Sequence, residues 1–178
     1  MPQATVNIKK GREKSILNGH PWIFSGSITH AENAEPGDIV TVRAHDGQFL
    51  ARGYWNPQSQ IQVRILTWEK EQGIDSAFWM TGLIRAAKAR GLHRMDVETI
   101  RNTAQRVVNA ENDYLPGLII DRYGEYLVLQ ALTLGIDARK HEICAILTDR
   151  IMDKVFGFVR GIYERSDVDV RGKEGLPQ

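Results

Sequence analysis

The sequence predicts an α+β protein of two domains: a small β-barrel, then a mixed region in the order helix, three strands, helix, strand. Three observations carry this. Short apolar alternations separated by turn residues fill the chain as far as Trp68, the pattern of closely spaced strands. A polar break, Glu69 to Gly73, follows. Beyond it the apolar spacing lengthens to three and four in two long segments, as in amphipathic helices. The expected domains are 1–70 and 74–178.

Taken in order, Thr5 to Lys10 alternates as a strand, and Gly11 to Gly19 has the length of a short helix closed by Gly19 and Pro21. Pro36-Gly37-Asp38 turns the chain into IVTVRA. Asp46-Gly47 is a strong hairpin turn into QFLARGYW. Asn56-Pro57 turns it again before IQVRILTW, where Ile61, Val63 and Ile65 share one face and Gln62, Arg64 and Leu66 the other. After the break, Asp75 or Ser76 is placed to cap a helix from Ala77 to Arg90, with Phe78, Trp79, Leu83 and Ala87 inward and Arg85, Lys88 and Arg90 outward. TAQRVVN, GLIIDRY and EYLVLQAL read as strands. ARKHEICAILTDRIMDKV reads as one helix, because Ile143, Leu147 and Ile151 recur at spacing four. Gly161 to Arg165 is the expected closing strand, and GKEGLPQ reads as the start of a connection to a further domain.

Of 178 residues, 42% are apolar and 25% charged, the make-up of an ordinary globular protein. A formal net charge of +1 excludes a polycation that would hold any nucleic acid by charge alone. The excess is local. Lys9, Lys10, Arg12 and Lys14 cluster near the start, and His20, Trp22 and Phe24 follow within a few residues. Cations meet phosphates and aromatic rings stack on unpaired bases, so this stretch is the candidate RNA surface. Against that, the density of Pro21-Trp22-Ile23-Phe24 favours both aromatics filling a small core.

The absences also bear on function. A single cysteine, Cys144, rules out an internal disulfide and a multi-cysteine metal site, and fits a reducing, cytoplasmic location. In mid-helix among isoleucines it is expected to be a buried structural residue, since apolar surroundings raise a thiol's pKa. No two glycines stand two apart, so the G-x-G of a dinucleotide loop is missing, and there is no Walker-type phosphate loop. Five scattered histidines form no metal motif, and no apolar run reaches the roughly 20 residues of a membrane helix. We expect no catalytic, cofactor or metal site in this chain.

GREKSILNGHPWIFSGSI, with PGDIVTVRAHDGQFLARGYWNPQSQIQVRILTW after it, resembles a PUA domain, a pseudobarrel that binds structured RNA. More narrowly it resembles the PUA domain that opens the bacterial S-adenosylmethionine-dependent methyltransferases making 5-methylcytosine in large-subunit ribosomal RNA. NAENDYLPGLIIDRYGEYLVLQ and IYERSDVDVRGKEGL are similar to the central α+β domain of that family, so the resemblance covers nearly the whole chain. It implies a C-terminal Rossmann-like domain, absent from this sequence, that binds the donor and supplies the attacking cysteine. No catalytic residue therefore carries over to a position here.

What the resemblance does imply is RNA binding by the barrel. The candidates are Lys9, Lys10, Arg12, Lys14, His20 and Trp22, with Arg43, Arg52 and Arg64 on later strands. In the second domain, Asp113, Arg122, Arg165, Asp167 and Arg171 are candidates for a domain contact or the RNA path. The carboxylates beside Leu115-Pro116-Gly117, Glu111 and Asp113, are also candidate general bases, with bonding to turn backbone N–H groups the favoured reading. The expected partners are ribosomal RNA and the family's C-terminal methyltransferase domain, with S-adenosylmethionine as donor for the parent protein and no membrane. Two other readings stay open: a free-standing RNA-binding adaptor, and an interaction module whose central sheet pairs with a partner or forms a homodimer.

Overall fold

A computed structural model describes residues 3–177. The chain divides into two compact units. One runs to Gly73 and takes in Asp169–Pro177; the other is Ile74–Val168. The returning segment belongs to the range that the sequence assigns to the second region.

In the first unit, β1 (Thr5–Ile8), β2 (Trp22–Phe24), β3 (Ile28–Glu32), β4 (Ile39–Arg43), β5 (Phe49–Trp55) and β6 (Ile61–Thr67) form a curled sheet in the order β2-β6-β5-β4-β1-β3. The β1–β4 pair is parallel and the other pairs are antiparallel. Val6, Ile8, Val40, Val42, Ala51, Val63 and Ile65 alternate inward and form the core together with Ile16 and Ile23. The hairpin turn lies where Asp46-Gly47 puts it: Gly47 has φ +87° and the Asp46 carboxylate accepts from the Gln48 N–H. The pairing of β5 with β6 shifts register between Arg52 and Gly53. A Cβ on Gly53 would stand 2.2 Å from the Arg64 carbonyl oxygen, so only glycine allows the two strands to approach this closely.

Strand β6 alternates as expected, and both of its faces are largely buried: Val63 and Ile65 on one, Arg64 and Leu66 on the other. At Arg64 the tail contributes to this cover. A 3₁₀ helix, Asp169–Glu174, brings Glu174 onto the Arg64 side of the sheet.

The second unit has a sheet in the order β10-β9-β8-β7, made of β7 (Ala104–Asn109), β8 (Leu118–Tyr123), β9 (Tyr126–Ala131) and β10 (Gly161–Glu164), with β9–β10 parallel. Leu118, Ile120, Leu127, Leu129 and Val108 are buried with Trp79, Leu83 and Ile143 of the helices. Tyr123, Tyr126 and Tyr163, which point the other way along their strands, are exposed. The long helix, here α2, is Ser76–Ala89 after α1 (Lys14–Leu17); Asp75 caps it by accepting from the Phe78 N–H. Arg90 does not face outward as expected, because it turns to Asp113.

The second expected helix is broken into α5 (Lys140–Leu147), a 3₁₀ turn Arg150–Met152 and α6 (Asp153–Phe156), after two short helices α3 (Val97–Arg101) and α4 (Leu134–Asp137). Asp149 causes the break by accepting from the Ile151 N–H, a cap bond that restarts the chain. Ile151 is consequently exposed and Met152 takes the buried place. Among the described residues no helix is long and apolar enough to cross a membrane.

Candidate nucleic-acid interface

The basic stretch is held on a rigid base. Ile16 of α1 is buried in the barrel core, and the Trp68 indole N–H donates to the Ile16 carbonyl at 2.8 Å. Positive-φ glycines bracket the segment, Gly11 at +81° and Gly19 at +82°, so the chain enters and leaves α1 by turns that other residues adopt with strain. Lys9 donates to the Gly26 carbonyl at 3.0 Å. Lys10, Arg12 and Lys14 are exposed, and their side-chain nitrogens make no hydrogen bond or ion pair among the described residues.

The acid within this run is turned aside. Glu13 pairs with His45 at 3.0 Å, and its carboxyl is held below the usual range by its own backbone N–H first, against the cost of burial, with His45 adding. Three cations are left to face solvent unopposed.

Beside them is a cavity of about 140 Å³ whose lining includes Arg12, His20, Trp22, Phe24 and Ser27. Trp22 meets His20 and Phe24 edge to face, at 6.0 Å and 6.4 Å between ring centres. The Trp22 N–H donates to His20 Nδ1 at 3.2 Å, which fixes the imidazole. The expectation that Trp22 and Phe24 fill the core does not hold. The core residue is Ile23, Trp22 is half-buried, and Phe24 is 46% exposed. With only three residues pairing to β6 alone, β2 is an edge strand, which leaves Trp22 half-buried and Phe24 exposed on either side of the buried Ile23.

The later arginines have other duties. Arg43 donates to the Gly47 carbonyl at 2.9 Å and braces its hairpin. Arg52 donates to the Gln72 carbonyl and lies over Phe49, 5.9 Å from the ring centre. Arg64, expected as a phosphate contact, is buried. Its Nη2 donates to Glu174 at 2.7 Å, and its guanidinium lies 5.9 Å from the centre of Trp22. Glu174 also accepts from Ser59 at 2.8 Å and from Asn56 at 3.0 Å. Sequence reasoning missed Glu174, because nothing local links it to a strand 110 residues earlier.

The candidates that the sequence places in the second domain fall in different settings. Asp113 is buried, takes a two-pronged contact from Arg90 at 2.8 and 2.9 Å and accepts from the Asn109 N–H, the turn-bonding role that competed with chemistry. Arg122 is fully buried, which does not suit a surface contact. It donates to the Phe158 carbonyl at 3.2 Å, and desolvation holds its pKa below the usual value. Arg165 pairs with Asp167 at 3.4 Å on the surface. Arg171 packs within the barrel unit and donates to the Pro177 carbonyl at 2.9 Å. Cys144 is half-buried rather than buried, and burial raises its pKa, so no reactive thiolate is prepared there.

Residues 6–68 match the family described as PUA-like domain. The first unit contains a PUA-like domain. Over nearly its whole length the chain is homologous to proteins named ribosomal RNA large subunit methyltransferase I. It is 42% identical to that of Shewanella amazonensis over 174 residues, 97% of this chain and 41% of the relative. To that of Tolumonas auensis it is 42% identical over 178 residues, 98% of this chain and 42% of the relative. The chain thus spans about two fifths of the length of these relatives. A solved protein of Streptococcus mutans, assigned as a SAM-dependent methyltransferase, shares the fold at a TM-score of 0.72 and 18% identity over 91% of this chain and 40% of its own.

A methyl-donor site of the doubly wound type does not fit the described residues. In the PUA-like unit and in the second unit alike, no glycine-rich turn links a parallel strand to a helix, and each sheet has a single parallel pair.

Proposed function

We propose that this chain is the RNA-holding part of a SAM-dependent methyltransferase that makes 5-methylcytosine in large-subunit ribosomal RNA, with no catalytic role of its own. One observation carries the reading: three cations unpaired among the described residues, Lys10, Arg12 and Lys14, stand on an anchored turn and helix beside a cavity edged by His20 and Trp22. Cations on a flexible loop would lose conformational entropy on meeting phosphate; here the backbone is already fixed. At about 140 Å³ the cavity is smaller than ordinary ligand pockets of about 300–1,000 Å³, which suits one inserted ring. The homologous rRNA methyltransferases support RNA as the partner, and the poor fit to a methyl donor supports catalysis lying elsewhere.

Lys10, Arg12 and Lys14 all changed to glutamate should abolish binding to a large-subunit rRNA fragment, measured by fluorescence anisotropy. In the unaltered chain affinity should fall steeply with salt. Calorimetric titration with S-adenosylmethionine should give no heat of binding to this chain. Affinity that survived the charge reversal would refute the basic surface, and donor binding would refute the division of labour.

A further inference from the structure

A second cavity adjoins the first within the PUA-like unit, and Phe24 lines both. It holds about 480 Å³, within the range of ordinary ligand pockets. One wall is the segment Gln58–Ile61 with Arg64. The other is the returning tail, through Val170, Lys173 and Glu174. Its base is rigid, because the Glu174 side chain is 1% exposed and bonded to Arg64, Ser59 and Asn56. Its rim is polar and open. Gln58, Gln60 and Lys173 are exposed, and the Lys173 ammonium makes no bond among the described residues.

We propose that this second cavity takes the nucleotide next to the one held at Trp22, so that the barrel and its tail together read successive unpaired nucleotides of one RNA strand. The proposal rests on the RNA reading above and extends it to the tail. Its chemistry follows from the side chains. Phe24 is 46% exposed and meets Trp22 only edge to face, so it stands between the two cavities as a stacking ring. A glutamine amide carries both donor and acceptor, which matches the mixed hydrogen-bonding edge of a base. Lys173 offers an unpaired cation to the phosphate that links the two nucleotides. The Glu174 carboxylate does not repel that phosphate, because it is buried and offset by Arg64 at 2.7 Å.

The test is anisotropy with labelled oligouridylates of graded length and the 178-residue chain carrying K173E, Q60A, or Lys10, Arg12 and Lys14 changed to glutamate. K173E and Q60A change exposed side chains, so folding is preserved. Both should match the unaltered chain on oligomers long enough for the first cavity only, and bind about tenfold more weakly once the second is reachable. K173E should also lower the salt slope by about 0.7 for the lost phosphate. If both bind long oligomers like the unaltered chain while the triple variant fails, the second cavity is no RNA site and the first reading stands. If the triple variant also binds normally, that first reading fails and takes this one with it. An equal loss at every length would overturn the proposal too, since the tail would then act on the whole barrel.

Discussion

In the PUA-like unit Lys10, Arg12 and Lys14 face solvent with no protein partner among the described residues. In the second unit Arg90, Arg101, Arg106 and Arg160 each meet a carboxylate at 3.2 Å or less. Residue type is nearly the same, and the use is opposite. A paired arginine spends its hydrogen-bonding capacity on the fold, as in the Arg106–Asp121 contact, where the bond to Asp121 raises the arginine's pKa. An unpaired cation on a rigid base projects its field outward and has that capacity in reserve. A count of charges finds the two regions alike. Their partners separate them.

Four measurements break or sharpen this contrast. The largest effect is expected at Arg64, the barrel cation that behaves like those of the second unit. E174A leaves a buried guanidinium without its carboxylate and should cost about 3–5 kcal/mol in urea unfolding. Next is the pair of charge variants. Glutamate at positions 10, 12 and 14 should weaken RNA binding by about 100-fold or more with stability unchanged. Arg101, Arg106 and Arg160 changed to glutamine should leave RNA affinity within about twofold and lower the melting temperature instead. A matching loss of RNA affinity in both would end the distinction. Third, D113A removes the partner of Arg90 and of the Asn109 N–H, and should cost about 2 kcal/mol with no effect on RNA binding.

The smallest effect is at Glu125. The hydrogen bond from Arg101 holds its carboxyl below the usual range, against the cost of burial, and Arg160 adds to it. A carboxyl with a depressed folded-state pKa stabilises above its unfolded value, and that stability is lost as pH falls through the folded one. Melting curves of the unaltered chain and E125Q should therefore differ at about pH 7 and converge as pH falls below about 4.

Much of the fold was legible because its signals are local. The Asp46-Gly47 turn, the Asp75 cap and the period-two strands each depend on residues a few positions apart. The failures share a cause as well. Trp22 and Phe24 look like core by composition, yet their exposure depends on β2 being the last strand of its sheet. The helix expected through Ile151 satisfies its spacing, but one cap bond at Asp149 outweighs periodicity. Of the candidate site, the exposed basic stretch and its neighbouring aromatics were legible as a segment. The pairing of Glu174 with Arg64 was not, because pairing between distant residues leaves no trace in spacing.

Glu174 has a consequence for the order in which the chain is made. Its partner Arg64 leaves the ribosome 110 residues earlier, and the whole second unit emerges between them. Until then the barrel holds a guanidinium whose counter-charge does not yet exist, so its strands can pair during synthesis but its final burial must wait. Contacts this distant in sequence form late, since a long loop has to close first. The first unit to be synthesised thus receives its last charged partner only after the second unit has been made.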